Sequence, residues 1–407
     1  MTLDEAKQLD AADPLAFARE RFALPEGVIY LDGNSLGALP AATAARLREV
    51  VERQWGGDLI ASWNAHGWID WPTRIAAKLA PVIGAKPSEL LIAESTSVCL
   101  FKLLAAAARA RPGRSTILTQ QGNFPTDLYV AQGLAALLGL TLKAVAPEQV
   151  LGAIDEDTAV VTLTHVDYRS AAIHDMAALN AAAHAAGALT VWDLSHSAGA
   201  IALDLDGTGA DLAVGCGYKY LNGGPGAPAF VYVAERLQDE LRPPLQGWFG
   251  HAEPFAFDDD YRPVSGIRRF LTGTPSILAL AALDCGFDTF AGIAMADIEA
   301  KARALSQTFI DEVEARCGAE VSLASPRDPA SRASHVVFAH AQGYVVMQAL
   351  IARGVIGDFR APDLLRFGFT PLYTRHVDVW DAVEILRDVL ATKAWRRPEF
   401  QTRAEVT

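Results

Sequence analysis

Apolar and polar positions alternate along this chain in blocks whose period changes, and each change marks an expected element. Residues 1–27 read as a short helical arm, with Pro14 at a first turn and Pro25 closing it. Val28–Leu31 is strand-like and leads into a polar loop that ends at Pro40. From Ala41 the spacing becomes helical, with Leu47, Val50 and Val51 apolar among Arg46, Arg48, Glu49 and Glu52. The Trp55-Gly56-Gly57 triplet should end that helix. Trp63 to Pro72, which includes His66, Trp68 and Trp71, looks too aromatic and broken for a helix and reads as a cleft wall or as aromatic packing under a loop. From Leu90 onward strands and helices alternate. Strands are expected at Leu90–Ala93, Thr116–Thr119, Ala159–Thr164, Leu189–Trp192, Asp211–Val214 and Phe230–Val233, with helices at Val98–Arg109, Asp127–Leu138 and Met176–Ala186, the last closed by Gly187. Continuous apolar strands separated by helices predict an α/β protein whose mostly parallel sheet is covered on both faces. Helices near Ser276–Phe290 and Ala296–Cys317, strand-like Ser334–Phe338 and helix-like Val345–Arg353 predict a smaller C-terminal α/β unit.

Composition narrows the class. The 407 residues are 51% hydrophobic and 20% charged, enough for a large core and against disorder. A net charge of −13 argues against nucleic acid as a partner, because phosphate binding needs a basic face. No apolar run reaches the roughly 18 residues of a membrane span, and Met1–Lys7 lacks the basic-then-apolar order of a signal peptide. Cys99, Cys216, Cys285 and Cys317 have no metal-ligand spacing, so reduced thiols, no metal and a cytoplasmic location are expected.

The candidate chemistry centres on Gly215-Cys216-Gly217-Tyr218-Lys219-Tyr220-Leu221-Asn222-Gly223-Gly224. Glycine lets a backbone approach a flat ligand closely, and a lysine amine can form a Schiff base with an aldehyde. Upstream, the apolar run Ala188–Trp192 ends in Asp193, where a parallel strand delivers side chains to the cleft at its carboxyl edge. An acid ending one strand and a lysine just past the next is the pattern that pyridoxal 5′-phosphate (PLP) demands. The amine holds the aldehyde carbon, and the acid keeps the ring nitrogen protonated so that the ring acts as an electron sink. Ser95-Thr96-Ser97 precedes a helix, where hydroxyls and free backbone N–H groups suit a phosphate or serve as an ordinary N-cap.

Several motifs together resemble the kynureninase family, in order from about residue 28 to about residue 373. They are Tyr30-Leu31-Asp32-Gly33-Asn34-Ser35-Leu36-Gly37, Phe124-Pro125-Thr126-Asp127, Asp193 with His196, Tyr218-Lys219-Tyr220-Leu221-Asn222 and Gly247-Trp248-Phe249-Gly250-His251. The resemblance implies a PLP-dependent transferase fold of type I, with a sheet of the seven-stranded type. It divides the chain into a large PLP-binding domain at 56–284 and a small domain made of 1–55 and 285–407. It assigns Lys219, Tyr218 and Asp193 to catalysis. Cofactor contacts fall to Thr96, Ser97, Phe124 (stacked on the ring), Pro125, Thr126, Asp127, Thr164 and His196. Trp248 and Thr274 would reach the phosphate of a neighbouring subunit's cofactor, which makes a homodimer necessary. Arg366 would clamp the substrate carboxylate, with His66, Asn34 and Ser35 in the substrate region. The implied reaction is hydrolysis of L-kynurenine to anthranilate and L-alanine in tryptophan catabolism and NAD biosynthesis, with 3-hydroxykynurenine left open as a second substrate.

Four rivals compete with that reading. A cysteine desulfurase needs a mobile cysteine beyond the lysine, whereas Cys285 and Cys317 fall in helix-like segments where a thiol is usually core; an aminotransferase is the broader alternative. Gly33-Asn34-Ser35-Leu36-Gly37 fits the serine-hydrolase elbow, but Pro40 intervenes before any helix and a triad leaves Lys219 and Asp193 idle. A PLP-fold protein that binds without catalysis is the fourth.

Overall fold

The apolar runs become strands whose side chains are buried on both faces. In the computed structural model, which describes residues 1–403, the strands in chain order are β1 (Ile29–Tyr30), β2 (Leu90–Ala93), β3 (Thr116–Gln120), β4 (Thr141–Val145), β5 (Thr158–Thr164), β6 (Leu189–Asp193), β7 (Leu212–Cys216), β8 (Ala229–Val233), β9 (Ser322–Leu323), β10 (His335–Ala339), β11 (Val355–Ile356), β12 (Asp358–Arg360) and β13 (Leu364–Gly368). Seven of them form one sheet in the order β2-β8-β7-β6-β5-β3-β4. β8 runs antiparallel to β2 and β7, and the remaining pairings are parallel. Every residue of β5 is buried, and each large aliphatic side chain so placed contributes about 1.5–3 kcal/mol. The alanine-rich Thr96–Arg109 helix lies close on one face because Ala105, Ala106 and Ala107 present almost no bulk to the strands.

This topology collects one set of strand ends. β2, β3, β5, β6 and β7 point the same way, so Ser95–Ser97, Asn123–Phe124, Thr164, Asp193–His196 and Lys219 all emerge at one edge. A second sheet, β12-β13-β10-β9, is antiparallel, and its register places Asp358 opposite Arg366. The Met295–Cys317 helix covers it with Ile298, Ala302, Leu305, Phe309 and Val313 buried, as its spacing predicts. A bridge from Asp32 to Gly368 draws the loop after β1 alongside β13.

Three local expectations are corrected. The helix that starts at Thr43 does not stop at Gly56; a wide turn at Val50–Trp55 carries it on through Asp58. Gln54 holds that turn, accepting from Trp68 Nε1 at 2.8 Å and donating to Glu49 at 2.9 Å. The Trp63–Pro72 stretch is largely helical, in two short pieces followed by a helix over Trp71–Ile83. Pro72 sits in that helix's first turn, where no N–H is needed, and Trp63, Trp68 and Trp71 pack edge to face at 5.7 and 6.3 Å. The exposed edge strand β4 and the His376–Ala391 helix were not expected.

Candidate active site

β7 ends in a loop that has little freedom. Gly223 N–H bonds Gly217 O at 2.8 Å, Asn222 N–H bonds Lys219 O at 2.9 Å, and Gly37 N–H bonds Tyr218 O at 2.8 Å. A side chain at Gly217 would stand 2.4 Å from Pro228 O, so the tight crossing requires glycine. Lys219 Nζ emerges 2.9 Å from His196 Nε2 and 5.7 Å from the centre of the Phe124 ring. Burial, then the charges of Lys219 and Arg366, push the His196 imidazole well below its ordinary pKa. The ring is therefore neutral, Nε2 accepts from the amine, and Nδ1 carries the other hydrogen. Nδ1 is buried without a partner among the described residues, and the ring of His335 lies 5.5 Å away.

Asp193 closes β6 beside Thr164 of β5, and its Oδ1 accepts from Ser195 N–H at 2.7 Å. Asp127, in the first turn of the Pro125–Leu138 helix, lies against it. Burial and then the Asp193 carboxylate raise Asp127 well above the usual carboxylate range. Thr164 Oγ1 lies 2.5 Å from Asn123 Oδ1 and 3.2 Å from Asp127 Oδ2. Two buried acids side by side are costly unless one is protonated or a cation joins them.

Ser95 caps the Thr96–Arg109 helix, and Thr96 and Ser97 form its first turn. Thr96, Tyr218, Gly226 and Thr274 line a cavity of about 520 Å³. Burial raises the Tyr218 hydroxyl above its ordinary pKa. The buried Lys102 ammonium ties the far wall together, bonding Glu94 at 2.8 Å, Thr272 Oγ1 at 2.9 Å and Phe270 O.

Arg366, 1% exposed, anchors the opposite end. Its Nε donates to Asp358 Oδ1 at 2.7 Å, Nη2 to Asp358 Oδ2 and to Ser35 Oγ at 2.9 Å, and Nη1 to Tyr168 O at 2.7 Å. With its amide oxygen turned toward the guanidinium, Asn34 accepts from Nε at 2.9 Å. Tyr168 also sets its ring edge-on to Phe124 at 5.2 Å, which links this end to Lys219. Asp32 is pushed up to about 7, by burial first and the Asp358 carboxylate second.

Of the residues singled out from sequence, Lys219, His196, Phe124, Asp193, Asp127 and Thr164 gather at one sheet edge, with Pro125 and Thr126 opening the helix beside them. Asn34, Ser35 and Arg366 gather at the other end. Thr274 lines the cavity of its own chain's Thr96 and Tyr218. His66 pairs instead with Asp58 at 2.7 Å, and Trp248, 40% exposed, packs on Phe249 and Phe255. Asn123, Tyr168, Asp358 and His335 escaped the sequence reading. Of these, Asn123 alone had a signal, since it directly precedes Phe124.

Comparison with known proteins bears on what the set does. A profile of the Kynureninase C-terminal domain matches residues 298–386. The kynureninase of Pseudomonas fluorescens is 53% identical, and that of Burkholderia mallei strain SAVP1 54% identical, each over 100% of both chains. The chain belongs to the kynureninase family. Among solved structures, the apo cysteine desulfurase of Thermococcus onnurineus superposes with a TM-score of 0.78 at 21% identity, covering 93% of this chain and 98% of that one. A C-DES mutant with glycine linked to its PLP cofactor gives 0.77 at 16% identity, covering 91% and 99%. At those identities the likeness speaks for the fold alone, and that fold is the type I architecture. All four cysteines are buried, so this kynureninase-family chain presents no mobile thiol of the desulfurase kind.

The donor set fits PLP. An amine stands beside an aromatic face, and a helix start with hydroxyls can take a phosphate. The crowded acid pair Asp127–Asp193 is the kind of environment that a ring N–H would relieve.

Proposed function

We propose that the chain hydrolyses the Cβ–Cγ bond of L-kynurenine, giving anthranilate and L-alanine, with PLP as its cofactor. What carries the reading is end-to-end identity of 53–54% with kynureninases in a chain whose lysine, buried acid and buried arginine converge. PLP would be held by Lys219 at its aldehyde carbon, by Asp193 at its ring nitrogen, by Phe124 on its face and by Thr96 and Ser97 at its phosphate. Once bound, it would supply an electron sink for the bonds at the substrate's Cα. Thr164, Asp127 and His196 would border the ring, and Pro125 and Thr126 shape the turn that presents Phe124.

The protein's own groups do the rest. Arg366 orients the substrate through its carboxylate, with Asn34 and Ser35 fixing the guanidinium. Lys219, once free, takes the Cα proton, and neutral His196, 2.9 Å away, offers that amine an acceptor rather than a competing charge. Tyr218 keeps its proton across neutral pH, because burial raises its hydroxyl, and delivers it to the carbon that becomes the alanine methyl. Water supplies the hydroxyl that ends on the anthranilate carboxyl and the remaining hydrogen. Trp248, away from the Lys219 group, is read as serving a second subunit's site in a cytoplasmic homodimer, with Thr274 at the cavity of Thr96 and Tyr218 where the two sites would meet. His66, paired with Asp58, is left without a substrate role in its own chain. The exposed apolar side chains Leu245, Trp248, Phe255 and Phe257 support that pairing. Among the described residues no helix is long and apolar enough to cross a membrane.

The test is anthranilate fluorescence after L-kynurenine is added to PLP-loaded protein, beside its Lys219→Ala variant. Turnover in the parent and none in the variant is expected. A PLP-loaded parent that leaves kynurenine intact makes the chain a binder, and a variant of near-normal rate removes Lys219 from the chemistry.

A further inference from the structure

Arg366 has five N–H bonds, and four are committed. Nε–H and one Nη2–H go to Asp358, the other Nη2–H to Ser35, and one Nη1–H to Tyr168 O. A carboxylate gripped in the bidentate manner takes two parallel N–H groups. Arg366 has one to give, so the grip is incomplete as long as Asp358 keeps its hold. Asp358 has every reason to keep it, since both groups are almost fully buried and each would otherwise be an unpaired charge.

A second guanidinium stands against the same carboxylate. Arg360 lies two residues along β12 from Asp358, on the same face of the strand. Its Nη2 is 2.7 Å from Asp358 Oδ2, the oxygen that Arg366 Nη2 and Ser35 Oγ already share. Arg360 Nε is buried without a partner among the described residues. The side chain is 40% exposed, so one end is dry and the other can meet a ligand. Its charge also adds to the positive field, weaker than that of Arg366, which together with burial lowers His196 and His335. The electrostatic balance leads the same way. Two guanidiniums face the single charge of Asp358, while Asp32 close by is held protonated up to about pH 7. An excess of positive charge around one buried carboxylate favours an anion at its half-exposed end.

We propose that the carboxylate of the amino-acid substrate is held by two arginines, Arg366 and Arg360, yoked to the one carboxylate of Asp358. The inference rests on reading Arg366 as the carboxylate contact and adds the second cation. Arg360 then becomes the residue that separates α-amino acids from plain amines. Arg366 contributes one N–H, Arg360 at least one more, and Asp358 sets the angle between them.

Two ligands isolate the effect. 4-(2-Aminophenyl)-4-oxobutanoate keeps the carboxylate and lacks the reacting amine; kynuramine keeps the amine and lacks the carboxylate. Titration calorimetry on the PLP-loaded protein, with steady-state constants for L-kynurenine, is run on the parent, Arg360→Gln and Arg366→Lys. Arg360→Gln should weaken the oxobutanoate and raise KM by about 10- to 100-fold, the range of one or two charge-assisted hydrogen bonds. Kynuramine affinity and kcat should stay within about threefold. An oxobutanoate affinity unchanged within about twofold, or an equal loss for both ligands, overturns the proposal. If only Arg360→Gln is silent, the second cation falls and the role of Arg366 stands; if Arg366→Lys is silent as well, the carboxylate reading falls with it. Should Arg360→Gln not fold, Arg360→Met keeps the aliphatic stem and carries the same test.

Discussion

Replacing Gly37 by alanine tests whether the loop after β1 clamps the lysine-bearing turn. The added methyl would lie 2.4 Å from Lys219 O, 2.5 Å from Asn222 Oδ1 and 2.7 Å from Asn222 Cα. Two of these are main-chain atoms, and they cannot easily retreat. Lys219 O already accepts from Asn222 N–H at 2.9 Å, and Asn222 holds a left-handed φ of 59°. From behind, Gly286 packs so closely that its own missing side chain would sit 2.5 Å from Leu221 O. Gly37 itself is not in the left-handed region, so the cost is one of room and not of backbone conformation. Overpacking of this kind costs about 1–3 kcal/mol, and a contact with backbone on both sides belongs near the upper figure. Unfolding entropy of roughly 2.1 cal/mol/K per residue over this chain converts ~3 kcal/mol into a Tm fall of roughly 3–4 °C. Lys219 must also shift by several tenths of an ångström, and a misplacement near 1 Å costs on the order of 100-fold in rate. The assay pairs a thermal melt with kcat from anthranilate release; a kcat loss of about tenfold or more is expected. Parental Tm and kcat together would refute the clamp.

Asp32 supplies a pH prediction. Its folded-state pKa, about 7, is above the unfolded value of about 3.9. Between those values the folded protein binds more protons, so this group's contribution to stability falls as pH rises from about 4 to about 7 and is constant above. Asp32→Asn should therefore gain stability relative to the parent across that window, by up to a few kcal/mol. Urea unfolding at pH 5 and pH 8 reads it, and a gain no larger at pH 8 than at pH 5 would sink the assignment. Gly133 is the counterpart of Gly37: it is exposed within the Pro125–Leu138 helix, and a methyl added there would meet nothing within 4 Å. Gly133→Ala should stabilise by about 0.5–1 kcal/mol, seen as a Tm rise of roughly 1 °C, and a fall in Tm contradicts the open-space geometry.

How much of the fold was legible depended on whether the deciding interaction was local. Met176–Ala186 was readable at both ends because Asp175 caps it and Gly187 takes φ 77°, both consequences of neighbouring residues. β5 was readable because all seven of its residues are buried and its sequence says so. β4 was not, since an exposed edge strand of Thr141-Leu142-Lys143-Ala144-Val145 has no apolar run to announce it. Trp55-Gly56-Gly57 misled for the opposite reason. The wide turn before it is stabilised by Trp68 and Ser62, whose hydrogen bonds to Gln54 outweigh the glycine penalty that the local sequence presents.

The site divides along the same line. Lys219 and Asp193 were legible because each stands at or just beyond the end of an apolar strand, and parallel strands carry their ends to a common edge. The opposite end of the pocket is assembled across the fold. Asn34 and Ser35 arrive from the loop after β1, Tyr168 from beyond β5, and Asp358 from a hairpin whose register sets it opposite Arg366. No spacing rule ties those segments together, so sequence pointed to an arginine but not to the carboxylate that takes two of its five N–H groups. The consequence is chemical. An arginine read in isolation is a free two-pronged clamp, whereas this one is a buried ion pair with one prong left, and under the proposal above a substrate carboxylate would find its second partner on β12.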